Sequence, residues 1–144
     1  MKNELSIYCD GGARGNPGPA AAAFVVKDHS GKTIGSYGYF LGEATNNQAE
    51  YQAVIKSLEW VNGHYPDSQI TVNYFIDSLL VVNQIKGLYK IKNAELRNLI
   101  LVVRQLDNSL KRKISYHHIP REKNWQADAL VNQTIDKALH SIKA

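Results

Sequence analysis

The sequence holds a single cysteine among 144 residues, so no intrachain disulfide and no zinc site built of cysteines alone can form. Cys9 is expected to be a buried thiol in a reducing compartment. With only 4 prolines and 10 glycines, and with no Pro/Ser-rich linker, repeat or low-complexity tract, collagenous, disordered and repeat architectures are excluded. No apolar run approaches the roughly 20 residues that a membrane-spanning helix needs. Acidic Glu4, in the opening MKNELSIYCD, stands where a secretion signal would be apolar. The chain is therefore expected to be cytoplasmic, with no membrane partner. What is present, 44% apolar and 21% charged residues, is the balance of a globular protein. At this length roughly 70% of the unfolded surface can be buried, which favours one domain over residues 1–144.

The net charge of +4 is unevenly spread. The segment from Lys86 to Lys123 holds ten basic residues against three acids, a net +7, and the remainder carries −3. A local cationic surplus suits a polyanion, because Lys and Arg contacts to phosphates release condensed counterions. A solvated helix face would explain the same charge.

Periodicity orders the elements. Leu5 to Cys9, Ala20 to Lys27 and Lys32 to Phe40 read as three strands, the last two joined by the turn Asp28-His29-Ser30-Gly31 and so antiparallel. Thr45 to Gln48 has capping-box spacing and opens a helix to about Asn62. A fourth strand over Ile70 to Ile76 runs into Asp77-Ser78, a cap for a short helix that stops at Gly87. A helix over Asn93 to Ser109, a fifth strand over Lys113 to His118 and a closing helix over Asn124 to Leu139 complete the chain. The pattern predicts an α/β fold with a five-stranded mixed sheet, three antiparallel then two parallel strands, flanked by helices.

Ligands of open α/β sheets gather at the carboxyl ends of the strands. Asp10 ends the first strand and Asp77 the fourth, so two carboxylates stand side by side there if those strands are parallel neighbours. Such a pair must share a proton or a cation. Glu50 and Asp128, each near the start of a helix, could project over the same rim, although each would also favour its helix dipole alone.

The contexts of these acids carry a resemblance. Asp10 lies in Asp-Gly-Gly-x-Arg-Gly-Asn-Pro-Gly, Glu50 in Thr-Asn-Asn-x-x-Glu, Asp77 in Asp-Ser after a strand, and Asp128 in Asn-x-x-Ala-Asp-x-Leu. In this order, from about Ser6 to Leu139, they resemble the type 1 ribonuclease H family, short-loop prokaryotic branch. The resemblance implies a ribonuclease H-like fold and a metal-dependent endoribonuclease cutting the RNA strand of RNA/DNA hybrids, leaving 5′-phosphate and 3′-hydroxyl ends. It implies Asp10 bridging two ions, Glu50 and Asp77 serving one and Asp128 the other. Magnesium suits such an all-oxygen site, with manganese as a substitute. It further implies a monomer without an obligate protein partner. By motif match, Gly11, Gly12, Ala13, Arg14, Asn16, Asn46, Asn47 and Gln48 face the hybrid, reading 2′-hydroxyls without reading bases. Thr45 resembles the family's phosphate-pocket threonine. A nucleotide cradle is disfavoured, because the glycine block lacks a Gly-Lys-Ser/Thr ending. A binding module without turnover would have a missing or mispositioned carboxylate, and a nuclease of the integrase or resolvase kind would lack the Gly-Asn-Pro-Gly and Thr-Asn-Asn blocks.

The chain departs from the family at three points. The loop Pro120-Arg121-Glu122-Lys123-Asn124 has no histidine; it resembles the shorter-loop branch with Pro-Arg-Glu-x-Asn, which implies that Arg121 assists there, and an arginine could do so only by stabilising charge. His117 and His118 precede it on the fifth strand, one expected to face inward and one outward. The basic protrusion is absent, with Tyr89, Lys90 and Lys92 as a candidate replacement unless Tyr89 packs on the neighbouring helix. Glu43 occupies a position where some members carry a phosphate-pocket arginine. Trp60 and Trp125 are expected to pack in the core or between helices.

Overall fold

A computed structural model describes residues 3–66, 69–109 and 111–143. The elements are β1 (Glu4–Ala13), β2 (Gly18–Lys27), β3 (Thr33–Ala44), α1 (Asn46–His64), β4 (Thr71–Ile76), α2 (Leu79–Ile85), α3 (Ala94–Leu106), β5 (Lys113–His118), a 3₁₀ turn (Arg121–Asn124) and α4 (Trp125–Lys143). The sheet order is β3-β2-β1-β4-β5. The first three strands are antiparallel, while β4 runs parallel to both β1 and β5. Short turns can only return a strand antiparallel, whereas the crossovers through α1 and through α2–α3 bring the chain back parallel.

Alternation on the central strands sorts the two faces. Ile7 and Cys9 of β1, and Val72, Tyr74 and Ile76 of β4, are buried against α1, whose Ala53, Val54, Leu58 and Val61 face them. The opposite face is covered over β2 and β3 by α4, where Ala21 and Ala23 pack on Val131 and Ile135. The run Ala20 to Ala23 is fully buried, and these small side chains let helices approach the sheet from both sides. Gly38 in β3 extends this closeness, since a Cβ there would lie 2.1 Å from Thr134 Oγ1 of α4.

Several boundaries differ from the sequence expectation. β1 does not stop at Cys9 but continues through Gly11, Gly12 and Ala13, which pair with Ala22, Ala21 and Ala20. The glycine block is therefore largely a paired strand end, because β2 offers it an unbroken ladder. β3 likewise runs to Ala44 rather than Phe40, past an irregularity opposite Ala20 and Ala21. α3 is shorter than expected, ending at Leu106 with Asp107 as its cap. Trp125 is 65% exposed rather than packed, whereas Trp60 joins an aromatic cluster with Phe24, Tyr37 and Tyr65. His117 and His118 are both exposed, because edge strand β5 is left open on both faces at its end; His117 stacks on Phe75 and bonds the Ser115 hydroxyl. Among the described residues no helix is long and apolar enough to cross a membrane.

Candidate active site

The last rung of the β1–β4 ladder pairs Cys9 with Ile76, so the next residue of each strand, Asp10 and Asp77, emerges side by side. Both belong to the sheet face that α4 only partly covers. Asp10 is buried and Asp77 half-buried. Asp77 does not cap the following helix. Ser78 does, its hydroxyl accepting the Val81 N–H at 3.2 Å, which leaves the Asp77 carboxylate free for the cleft.

Glu50 reaches the same point from α1. Thr45 and Gln48 form the expected capping box, each side chain accepting the other's backbone N–H, and so fix where α1 begins. Glu50 then sits just beyond the first turn and points at the β1 end. Gly11 makes this possible, since a Cβ there would lie 2.2 Å from the Ala49 carbonyl carbon. With nothing in the way, the Gly11 N–H donates to Glu50 Oε1 at 3.1 Å.

One carboxylate oxygen from each of Asp10, Glu50 and Asp77 lies within 4.8 Å of the others. Asp128, in the first turn of α4, stands outside this trio but lines the same cleft, whose volume is about 430 Å³. It is near enough for its charge to act on Asp10. Arg121 also lines the cleft.

Crowding and burial raise the proton affinity of three of these acids. Burial pushes Asp10 up to about 7, offset in part by a hydrogen bond with Glu50 and reinforced by the charges of Asp77 and Asp128. Burial and the Asp10 charge hold Glu50 well above the usual carboxylate range. Burial raises Asp77 as well, opposed by the Asn124 amide and the Arg121 charge. Glu50 Oε2 is buried and has no hydrogen-bond partner. An unpartnered buried carboxylate oxygen, beside two further acids whose oxygens converge, is a donor set of hard oxygens suited to a divalent cation. The residues therefore fit the metal dependence that the resemblance implies.

The predicted substrate-facing residues fall into three groups. Gly11, Gly12, Ala13 and Arg14, with Asn46 and Asn47, line the carboxylate cleft. The Ala13 N–H donates to Asn46 Oδ1 at 2.9 Å and the Asn46 N–H to Asn16 Oδ1 at 3.0 Å, stitching the strand end to the helix start. Arg14 is turned onto α4, 2.6 Å from Asp136 and 3.3 Å from the Asn132 carbonyl. A second group, Asn16, Thr45, Asn46, Asn47 and Gln48, lines an adjoining polar pocket of about 330 Å³ with Asn93 and Glu95. Gln48 is committed there: its carbonyl oxygen serves the cap and its amide nitrogen donates to Glu95. Tyr89 and Lys90 belong to neither. They line a separate groove of about 360 Å³ with Arg97 and Arg104, while Lys92 offers its carbonyl to Arg97.

Sequence reasoning left out Asn93, Arg97, Arg104 and Asn124. Asn93 was legible only as the opening of a helix, and it does cap α3. Arg97 and Arg104, seven positions apart, share a helix face with each other, a spacing that could have joined them to Lys90. Asn124 opens the Asn-x-x-Ala-Asp block and is buried at 1% exposure, which no local pattern announces.

Known proteins agree with this geometry. The sequence pattern of the family described as Reverse transcriptase-like matches residues 8–134. The chain is 38% identical to ribonuclease HI of Halobacterium salinarum over 134 residues, covering 93% of this chain and 65% of that protein's length. It is 31% identical to ribonuclease H of Ruthia magnifica, covering 94% of this chain and 97% of that one. LC11-RNase H1, solved in complex with an RNA/DNA hybrid, superposes with a TM-score of 0.87 at 42% identity over 94% of this chain and 99% of that one. Sequence pattern, curated relatives and fold converge, and the chain belongs to the ribonuclease H family, of type 1.

Proposed function

We propose that this chain is a metal-dependent endoribonuclease that hydrolyses the RNA strand of RNA/DNA hybrids and leaves 5′-phosphate and 3′-hydroxyl ends. The observation that carries the reading is the convergence of Asp10, Glu50 and Asp77 within 4.8 Å, with Asp128 on the same cleft wall. Support also comes from LC11-RNase H1, similar over nearly its whole length and solved with such a hybrid. Asp10, Glu50, Asp77 and Asp128 would hold two divalent ions, magnesium or, as a substitute, manganese. Bound there, such ions would supply charge for activating a water and for steadying the leaving 3′ oxygen.

The chain's own residues do the rest. Burial and mutual repulsion raise the proton affinity of Asp10 and Glu50, a crowding of negative charge that a divalent cation would relieve. The Gly11 N–H keeps Glu50 aimed inward. The Ala13–Asn46–Asn16 bonds stiffen the surface that meets the minor groove, leaving the Asn46 and Asn16 amide nitrogens to face 2′-hydroxyls. Thr45 and Asn93 would receive a phosphate of the DNA strand. Arg121 supplies a fixed positive charge beside Asp77. We further propose one catalytic domain over residues 1–144, monomeric and cytoplasmic.

Incubation of purified protein with an end-labelled RNA/DNA hybrid, with magnesium, with manganese and with chelator, tests the reading. Cleavage of the RNA strand alone, in the ion-containing arms alone, is expected. Asp10→Asn should lower turnover by about a thousandfold or more while binding of the hybrid stays within a few-fold, because phosphate contacts remain when the shared ligand is lost. Intact RNA at stoichiometric wild-type protein would overturn the assignment.

A further inference from the structure

Asn124 is not a carboxylate, yet it reaches the ends of both strands that lead into Asp10 and Asp77. It closes the 3₁₀ turn and directly precedes α4. Its Nδ2 donates to the Cys9 carbonyl at 2.7 Å, a bond spanning 115 positions of sequence. Cys9 is the residue before Asp10 and occupies the last rung of the β1–β4 ladder. The same amide group lies against Asp77. A side-chain amide nitrogen carries two protons, and the Cys9 carbonyl takes one of them, leaving the other on the side of Asp77. Asp128 follows four residues later, one helical turn along α4 on the same face.

We propose that Asn124 is a positioning residue that locks the end of β1 to the start of α4, and thereby sets the spacing of Asp10, Asp77 and Asp128. The inference rests on the nuclease reading above. The side chain's chemistry matches this role and not packing alone. Asn124 Oδ1 is buried without a partner, a cost that an apolar side chain at the same place would avoid. The donor half of the amide is what the position needs. It must be neutral, since a fifth carboxylate among these acids would add repulsion, and it must donate to the Cys9 carbonyl, which an ionised aspartate cannot do. Outer groups that orient metal ligands change ion affinity or activity by about 10- to 100-fold when removed, and a loss in that range is the effect expected here.

The test compares Asn124→Ala with Val103→Ala, a cavity variant in the core of α3 remote from the cleft. Three quantities are read at a temperature where all proteins are folded: manganese affinity of the substrate-free protein by titration calorimetry, kcat, and KM for the hybrid. Asn124→Ala should lose at least about tenfold in manganese affinity and in kcat, with KM within threefold. Val103→Ala should keep both within twofold at whatever melting temperature it shows. Asn124→Asp keeps the volume, and it should lose as much as Asn124→Ala; it replaces the alanine variant should that one not fold. Manganese affinity and kcat within twofold of wild type in the folded Asn124 variant, or losses matched by Val103→Ala, would overturn the positioning role. Wild-type protein that neither binds manganese nor cleaves the hybrid would instead overturn the function, and the inference with it.

Discussion

At the scale of single residues the site is defined by charge that the fold has forced together. Asp10 faces Glu50, Asp77 and Asp128, and the Asn124 amide and the Arg121 charge, both acting on Asp77, oppose the accumulation of negative charge. With its carboxyl pushed up from 3.8 to about 7, Asp10 binds its proton more tightly folded than unfolded. The stability this confers is full below about pH 4 and is lost as pH rises through about 7, because the native state then ionises at a cost the unfolded chain escapes. In chelator, therefore, Asp10→Asn should melt higher than wild type at pH 8 and close to it at pH 4. Adding manganese should reverse the order at pH 8 by stabilising only the wild type. Thermal unfolding at the two pH values, with and without the ion, checks this, and a difference between the proteins that ignores pH would refute the cause assigned.

At the scale of elements, the site depends on how closely α1 approaches β1. The two differ from an ordinary helix–sheet contact in having only Gly11 between the Asp10 strand and the Ala49–Glu50 backbone. Gly11→Ala would place a Cβ 2.2 Å from the Ala49 carbonyl carbon and 2.4 Å from the Glu50 nitrogen, both backbone atoms that cannot swing aside. The helix must shift, so a loss of about 3 kcal/mol or more is expected, together with loss of cleavage as Glu50 leaves the Gly11 N–H. At Gly12 the same methyl would meet only Val131 Cγ1, at 3.7 Å, and Gly12→Ala should melt within a few degrees of wild type. Melting curves of the pair distinguish a requirement for this one glycine from a general fragility of the block. The contrast marks a limit of sequence reading. Thr45 and Gln48 announced the start of α1 because capping chemistry is local, and the alternation of β1 and β4 announced two carboxylates at strand ends. Which glycine a helix rests on depends on a partner 38 positions away in the chain, and the extension of β1 into the glycine block depends on β2. Neither leaves a periodic trace.

At the scale of the whole molecule the uneven charge of the sequence becomes a place. The topology follows from connection lengths, which is why the sheet order was legible, but the sequence could say only that Lys86 to Lys123 is basic. Folding gathers Lys90, Arg97 and Arg104 around one groove beside α3, with Tyr89 at its wall, and leaves Arg112 buried against Asn62 and the Tyr65 carbonyl, where it cannot meet a polyanion. Arg14 is likewise occupied by Asp136. Lys90, Arg97 and Arg104 thus share a groove separate from the carboxylates, whereas Arg121 lines the carboxylate cleft itself. A hybrid seated in the carboxylate cleft that reaches this groove would place phosphates against its cations. Each such contact releases counterions, giving a slope of log affinity on log salt of about −0.9 per phosphate on a duplex. Lys90→Ala, Arg97→Ala and Arg104→Ala combined should therefore weaken hybrid binding at low salt and make the slope shallower by about 2 to 3. Replacing Arg112 should lower the melting temperature and leave the slope alone. Turnover at saturating hybrid should stay near wild type in the triple variant, since no residue of the carboxylate cleft has changed. Affinities measured across a salt series decide the matter: an unaltered slope would mean that the bound duplex runs elsewhere and that the groove serves only to solvate α3.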